Sequence, residues 1–301
     1  MKAVSRSEID DVKWNVTIRN SSQPRHYLLT YYLDACADEW SALIWGDYEV
    51  LWPLPFKKFP VKRVFQPLLI QQLGPSITPA FSNSILNEGL GFIKKNYSSF
   101  SLKFNDSILG VDDTKTEEHH NIELDLDADY LSLEKAYNRN VRSNLKKAEK
   151  AGLFVEQADD DFEFVIEAFK NSKRSDSKIL DKRFYKDVKV IYTSFLKRGE
   201  ASCFIAKING DPVAGMMILN MENRILNFFT GTTHKARGVG AMHAVIDHVI
   251  QKNCNRAATF DFEGSDDNNL RFFYQSFGGV DKVYLQVYSN QIIWPLNKIL
   301  K

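Results

Sequence analysis

The apolar positions of this chain recur with two different periods, and the changes of period divide it into elements. Residues 40–45 and 48–52 are apolar-rich runs around Gly46-Asp47, and 202–208 and 212–219 are two more around Asn209-Gly210-Asp211. Each pair predicts a β-hairpin, because glycine accepts the left-handed backbone that a tight turn between strands needs. Downstream of each hairpin the elements come in the same order. After the first hairpin come a strand-like run at 67–70, a helical pattern at 81–95 and a strand at 100–104. After the second come a strand at 225–230, a helix at 241–252 and a strand ending at 261–263. Residues 132–151 place Leu133, Ala136, Tyr137, Val141, Leu145 and Ala148 on one side of a helix that Gly152 closes. Residues 162–169 and 184–196 predict further helices, as does the stretch from Asp266-Asp267 to Gly278-Gly279 with its stripe of Leu270, Phe273 and Phe277. Near the N-terminus Val12, Trp14, Val16 and Ile18 alternate with polar residues, which predicts a strand, and 23–37 predicts a helix led by Pro24. Val283, Leu285 and Val287 alternate with Tyr284, Gln286 and Tyr288 in a closing strand.

A repeated element order with little shared sequence is most simply two tandem copies of one α/β unit, each a mixed α+β sheet with helices. The boundaries fall at about 1–115 and 122–301. Residues 106–129 between the copies are rich in Asp, Glu, Thr and His and poor in apolar residues, which is the composition of a linker. His119-His120 in that segment reads as a solvated pair rather than as metal ligands.

Composition narrows the function. Lys and Arg total 39 against 38 Asp and Glu, so no bulk field is present to hold nucleic acid or an anionic membrane, and any anion site must be local. Cys36, Cys203 and Cys254 have no metal-type spacing and read as reduced core thiols, and no metal is expected. The N-terminus shows no apolar signal region and no run approaches a membrane span, so the expected location is the cytoplasm.

The candidate chemistry gathers in residues 230–279. Lys235-Ala236-Arg237-Gly238-Val239-Gly240 follows a strand and opens a helix, so two glycines, two cations and unpartnered helix N–H groups coincide, as a phosphate loop requires. The bland alternative is a strand-to-helix turn that needs glycine for its backbone angles. The corresponding place in the first copy, 77–81, has neither a glycine pair nor a cation. The apolar run 257–263 ends on Asp261 and Glu263, which in an alternating strand share the face opposite Phe260 and Phe262. A carboxylate desolvated there is a candidate general base, Glu263 ahead of Asp261, although a helix cap or salt bridge would explain it equally well. Gly264-Ser265 follows as a turn. Tyr274 reads as core packing or as a site residue.

The segment 235–240 resembles the pyrophosphate loop of the GNAT (N-acetyltransferase) superfamily. Phe260-Asp261-Phe262-Glu263-Gly264-Ser265 with Phe272-Phe273-Tyr274 and Ser276-Phe277-Gly278-Gly279, and the basic run 140–152, resemble the FemAB-like tandem branch. The resemblance implies two GNAT-like domains and an N-acyltransferase that moves an acyl group from acyl-CoA to an amine. Lys235, Arg237, Gly238, Val239 and Gly240 would hold the donor's pyrophosphate, and Tyr274 or Tyr284 would protonate the leaving thiolate. The alternatives are an aminoacyl-tRNA-dependent transferase acting on a cell-wall precursor, for which a basic channel would be needed, and a non-catalytic binding module.

Overall fold

The structure is a computed structural model that describes residues 1–108, 110–111, 114–172, 180–236, 238–264 and 266–290. In chain order its elements begin with β1 (Lys2–Ser5), α1 (Asp11–Arg19), α2 (Thr30–Cys36), β2 (Trp40–Trp45), β3 (Val50–Lys57), β4 (Arg63–Val64), α3 (Asn83–Asn96) and β5 (Ser99–Lys103). They continue with β6 (Lys115–Asp125), α4 (Tyr130–Lys135), α5 (Arg139–Lys150), β7 (Phe154–Gln157), α6 (Phe162–Lys170) and α7 (Lys182–Leu196). The last are β8 (Ala201–Ile208), β9 (Asp211–Met221), β10 (Arg224–Thr232), α8 (Ala241–Asn253), β11 (Thr259–Asp261), α9 (Asn268–Gln275) and β12 (Val280–Asn290).

The chain forms two compact units, one of Met1–His119 with the chain from Val283 and one of His120–Lys282. Within the first unit the strand order is β1-β2-β3-β4-β5-β12, antiparallel throughout except for the parallel pair β4/β5. Within the second it is β7-β8-β9-β10-β11-β6, antiparallel except for the parallel pair β10/β11. Order and direction match strand for strand. The repeat of a mixed α/β unit is therefore real, and the sixth strand of each sheet is the one that comes after the other unit's fifth strand in sequence.

Four expectations fail locally. Residues 11–19 are helical: Asp10 accepts from the N–H groups of Val12 and Lys13 as a cap, Trp14 and Ile18 are buried one turn apart, and Val12 and Val16 face solvent. Residues 67–70 form a turn, the short strand lying at β4 instead, and the helix expected over 23–37 is confined to α2. The helix expected over 132–151 breaks between α4 and α5, where Asn138 caps α5 by accepting from the Val141 N–H. Tyr137 at the break packs edge-on against Phe277.

The acidic segment read as a linker contains β6. Its polar residues are paired where a linker's would be solvated. The His119 ring lies 2.8 Å from the Gln286 amide oxygen, and the His120 ring lies 3.0 Å from the Asp281 carboxylate. Asn121 and Glu123 are buried, while Ile122 and Leu124 enter the core with Phe260, Phe262, Val245 and Val249.

Candidate active site

In the second unit β10 and β11 run parallel only at Arg224–Leu226 against Thr259–Asp261; among the described residues their pairing ends there. Just past that point β10 bulges, since Asn227 pairs with Ile218 and Phe229 with Met217, leaving Phe228 as an extra residue. The two strands therefore part. The Asn227 amide bridges the gap, donating at 3.3 Å to the Phe262 carbonyl and at 3.3 Å to the Tyr274 hydroxyl.

Beyond the divergence lies a cavity of about 580 Å³. Its walls come from the end of β10 (Thr230, Gly231, Thr232), the start of α8 (Met242, Ile246) and α9 with its cap (Asp267, Asn269, Leu270, Phe273, Tyr274). Gly231 is in the strand, and a side chain there would collide with the Val165 carbonyl at 2.1 Å, so α6 packs directly on the cavity's floor strand. Tyr274 is buried and stacks on Phe262, with ring centroids 4.8 Å apart. Asp267 caps α9 through the N–H groups of Asn269 and Leu270 and lines the cavity with a carboxylate. The sequence shows Asp267 as a helix start but gives no sign that its other side faces a cavity.

A second, smaller cavity of about 200 Å³ opens at the glycine turn, lined by Asn144, Thr232, Gly238, Gly240, Met242 and His243 among others. Thr232 and Met242 are in the lining of both cavities, which are therefore neighbours. Gly238 and Gly240 both have left-handed backbones, with φ of 77° and 72°. A Cβ on Gly238 would meet open space, whereas one on Gly240 would sit 2.2 Å from the Asn144 carbonyl of α5. Both glycines thus take the backbone angles that the turn reading asked for; Gly240 in addition packs on α5, and nothing lies near the Cβ position of Gly238. Val239 is half-buried on the core of this unit. Lys235 pairs with Asp211 at 2.9 Å, both exposed. Arg237 and Ser265 lie outside the described residues.

The strand end differs from strict alternation. β11 stops at Asp261, Glu263 has a left-handed backbone (φ 53°), and the rings of Phe260 and Phe262 are in contact at 4.6 Å. Asp261 is fully buried. It pairs with Arg224 at 2.6 Å and accepts from the Asn121 side chain and from the Glu263 N–H. Arg224 also pairs with Glu123 at 2.8 Å, and Asn121 accepts from the Gly264 N–H. A single guanidinium shared by two buried carboxylates fixes the loop that presents Glu263, and removing one partner of such a group typically costs about 3–5 kcal/mol. Glu263 is half-buried on this loop. Tyr284 stands in the first unit, stacked on His119.

His243, which the sequence does not single out, lies against Phe273 and Phe277 and within 3.4 Å of the Asn144 amide. Burial, with Lys147 nearby, pushes its pKa down to about 4, so it lines the glycine cavity as a neutral imidazole. Burial also pushes the Cys203 thiol up, consistent with an inert core residue. Among the described residues no group of three or more His, Cys, Asp or Glu side chains converges as metal ligands, and no helix is long and apolar enough to cross a membrane.

Residues 135–274 match the family model described as an acetyltransferase (GNAT) domain. No curated protein matches the chain. Among solved structures, FemX aligns over 100% of both chains at 12% identity with a TM-score of 0.69. L-PGS from Bacillus licheniformis aligns over 97% of this chain and 95% of its own at 18% identity, with a TM-score of 0.61. A tandem GNAT protein from the clavulanic acid biosynthesis pathway aligns over 97% and 99% at 12% identity, with a TM-score of 0.52. At these identities the solved structures speak for the fold, and the family match speaks for the domain's class.

Proposed function

We propose that this tandem acyltransferase of the GNAT superfamily, in its FemAB-like branch, transfers an acyl group from acyl-CoA to a primary amine in the second unit. The observation that carries the reading is that the cavity at the glycine turn and the cavity beside Tyr274 share Thr232 and Met242 in their linings. A donor whose pyrophosphate lies at Gly238 would run its pantetheine arm along β10, past the point where β11 leaves it, and bring its thioester to Tyr274. The edge of β10 past Leu226, where its described pairing with β11 ends, would offer backbone groups to the arm's amides.

In the reaction the amine nitrogen bonds to the thioester carbon, the C–S bond breaks, the amine loses a proton to a base and the thiolate gains one from an acid. Tyr274 would serve as the acid; its hydroxyl accepts from the Asn227 amide at 3.3 Å. Glu263, held by the Asp261 and Asn121 network, is the proposed base, and Asp267 is the carboxylate that lines the cavity itself. Asp261 would act through the loop it fixes. Ser265 would meet the acceptor, a small amine or a cell-wall precursor.

Calorimetric titration with acetyl-CoA and longer homologues tests the donor: binding is expected, and none to folded protein would sink the reading. Tyr274→Phe should retain donor binding and lower turnover by roughly 10²–10⁴, the usual share of general acid–base catalysis. The same loss in Glu263→Gln but not in Asp267→Asn would assign the base to Glu263, and the reverse would assign it to Asp267.

One observation favours aminoacyl-tRNA as the donor instead. Arg139, Arg142, Lys146, Lys147 and Lys150 lie on α5, the helix whose Asn144 lines the glycine cavity. Affinity for tRNA that falls steeply with salt, with no affinity for acyl-CoA, would select that reading.

A further inference from the structure

The connection between β3 and β4 in the first unit has a composition unlike the rest of the surface. From Lys57 to Arg63 the sequence is Lys-Lys-Phe-Pro-Val-Lys-Arg, four cations and no acid in a chain that is otherwise almost balanced. Lys57 and Arg63 face each other across the strand pair, so residues 58–62 form the tip of a hairpin. Phe59 at that tip is 87% exposed, more than any other large hydrophobic residue among those described. Folding alone would favour a polar residue there, since the ring gains nothing from the core.

The lysines that flank Phe59 in sequence lie against other rings. Lys57 lies 5.0 Å from the Phe65 ring centroid, Lys58 5.5 Å from that of Phe56 and Lys62 4.5 Å from that of Tyr97. Their ammonium groups thus rest on rings of the strands below the tip, while all three lysines stay exposed to solvent. The acidic neighbour is Glu39, which pairs with Lys58 at 2.8 Å in an exposed contact of the kind that contributes little. A projecting aromatic ring flanked in sequence by exposed lysines matches a surface that is apolar beneath an anionic layer.

We propose that the β3–β4 hairpin tip docks the protein on an anionic phospholipid surface, with Phe59 entering the boundary between headgroups and acyl chains and Lys57, Lys58, Lys62 and Arg63 contacting the headgroups. The contact with the membrane surface is thus made by a loop. The partner is a lipid bilayer rather than a nucleic acid because the ring stands singly at a tip. A strand-binding groove would need several rings to stack successive bases.

The test is co-sedimentation of the full chain with phosphatidylcholine vesicles, with and without about 30% phosphatidylglycerol. Binding is expected only to the anionic vesicles and should fall as salt rises. Phe59→Ser should weaken it about five- to tenfold, and Lys57→Glu combined with Lys58→Glu at least tenfold, from roughly fivefold per basic residue at such a surface. Because these residues are exposed, thermal melting should be unchanged. In Phe59→Trp the added emission should shift to the blue with anionic vesicles alone. Equal binding to both vesicle types, no binding, unaltered binding by the variants, or tighter binding to a single-stranded oligonucleotide than to the anionic vesicles would each overturn the proposal.

Discussion

At the scale of single residues, His243 is placed where a charge is costly, between two phenylalanine rings and near Lys147. The unfolded chain takes up a proton at this position near pH 6.5 and the folded chain only near pH 4. Its contribution to stability is therefore complete above about pH 6.5 and is lost as the pH falls toward 4. His243→Gln should melt with a shallower dependence on pH across that window than the parent, because one proton-linked loss is gone; parallel curves would mean that the ring is not desolvated. The sequence hides this residue because a histidine on a helix looks the same whether it faces water or two rings. Asp261 and Glu263 were legible as an unusual strand end, but not the difference in their surroundings, which comes from Arg224 and Asn121 drawing Asp261 inward. Tyr274 left two readings open, and the structure accommodates both: it is buried on Phe262 and also faces the cavity. The environment of His119 is set by Gln286, far along the chain, and no local pattern foretells it.

At the scale of elements, the strongly patterned hairpins and the helices α3, α6, α7 and α8 follow from the sequence, because period and turn chemistry agree there. The pattern fails where one set of residues satisfies two periods. Val12, Trp14, Val16 and Ile18 alternate as a strand would, yet Trp14 and Ile18 are also four apart, and the Asp10 cap decides for helix. It fails again in β6, where hydrogen-bonded polar side chains occupy core positions and mimic a linker. The junction of α5 with α8 gives a direct test of the glycine turn. Gly240→Ala combines a left-handed backbone with a 2.2 Å collision against a helix carbonyl, and should lose about 2–4 kcal/mol in a denaturant titration. Gly238→Ala meets only the backbone cost, about 1 kcal/mol, since nothing lies near its Cβ. The Gly238 variant should instead weaken donor binding, because the new methyl group stands on the open side. Equal stability losses at the two positions would mean that α5 does not rest on the turn.

At the scale of the whole molecule, the tandem repeat was legible from element order, but the source of each sheet's sixth strand was not. Alternation announces that residues 283–288 form a strand and carries no information about its partner. In the structure Gln286–Asn290 pair antiparallel with Ser99–Lys103, and the Phe104 N–H reaches the Leu285 carbonyl at 2.7 Å. Val287 and Tyr284 are buried. The first unit is thus assembled from the two ends of the described chain, and its sheet cannot close until the last strand is available. Contacts so distant in sequence carry a high loop-closure cost, which slows their formation. The second unit, His120–Lys282, is one continuous segment and holds its own sixth strand. Expressed alone, 120–282 should unfold cooperatively in a thermal melt. Residues 1–119 alone should aggregate or melt without a transition, because the edge of β5 and the apolar surface under Val287 are left uncovered. Joining 280–290 to that fragment through a flexible Gly/Ser linker should restore the transition. A sharp transition in 1–119 without the added strand would show that β12 is dispensable to the first unit.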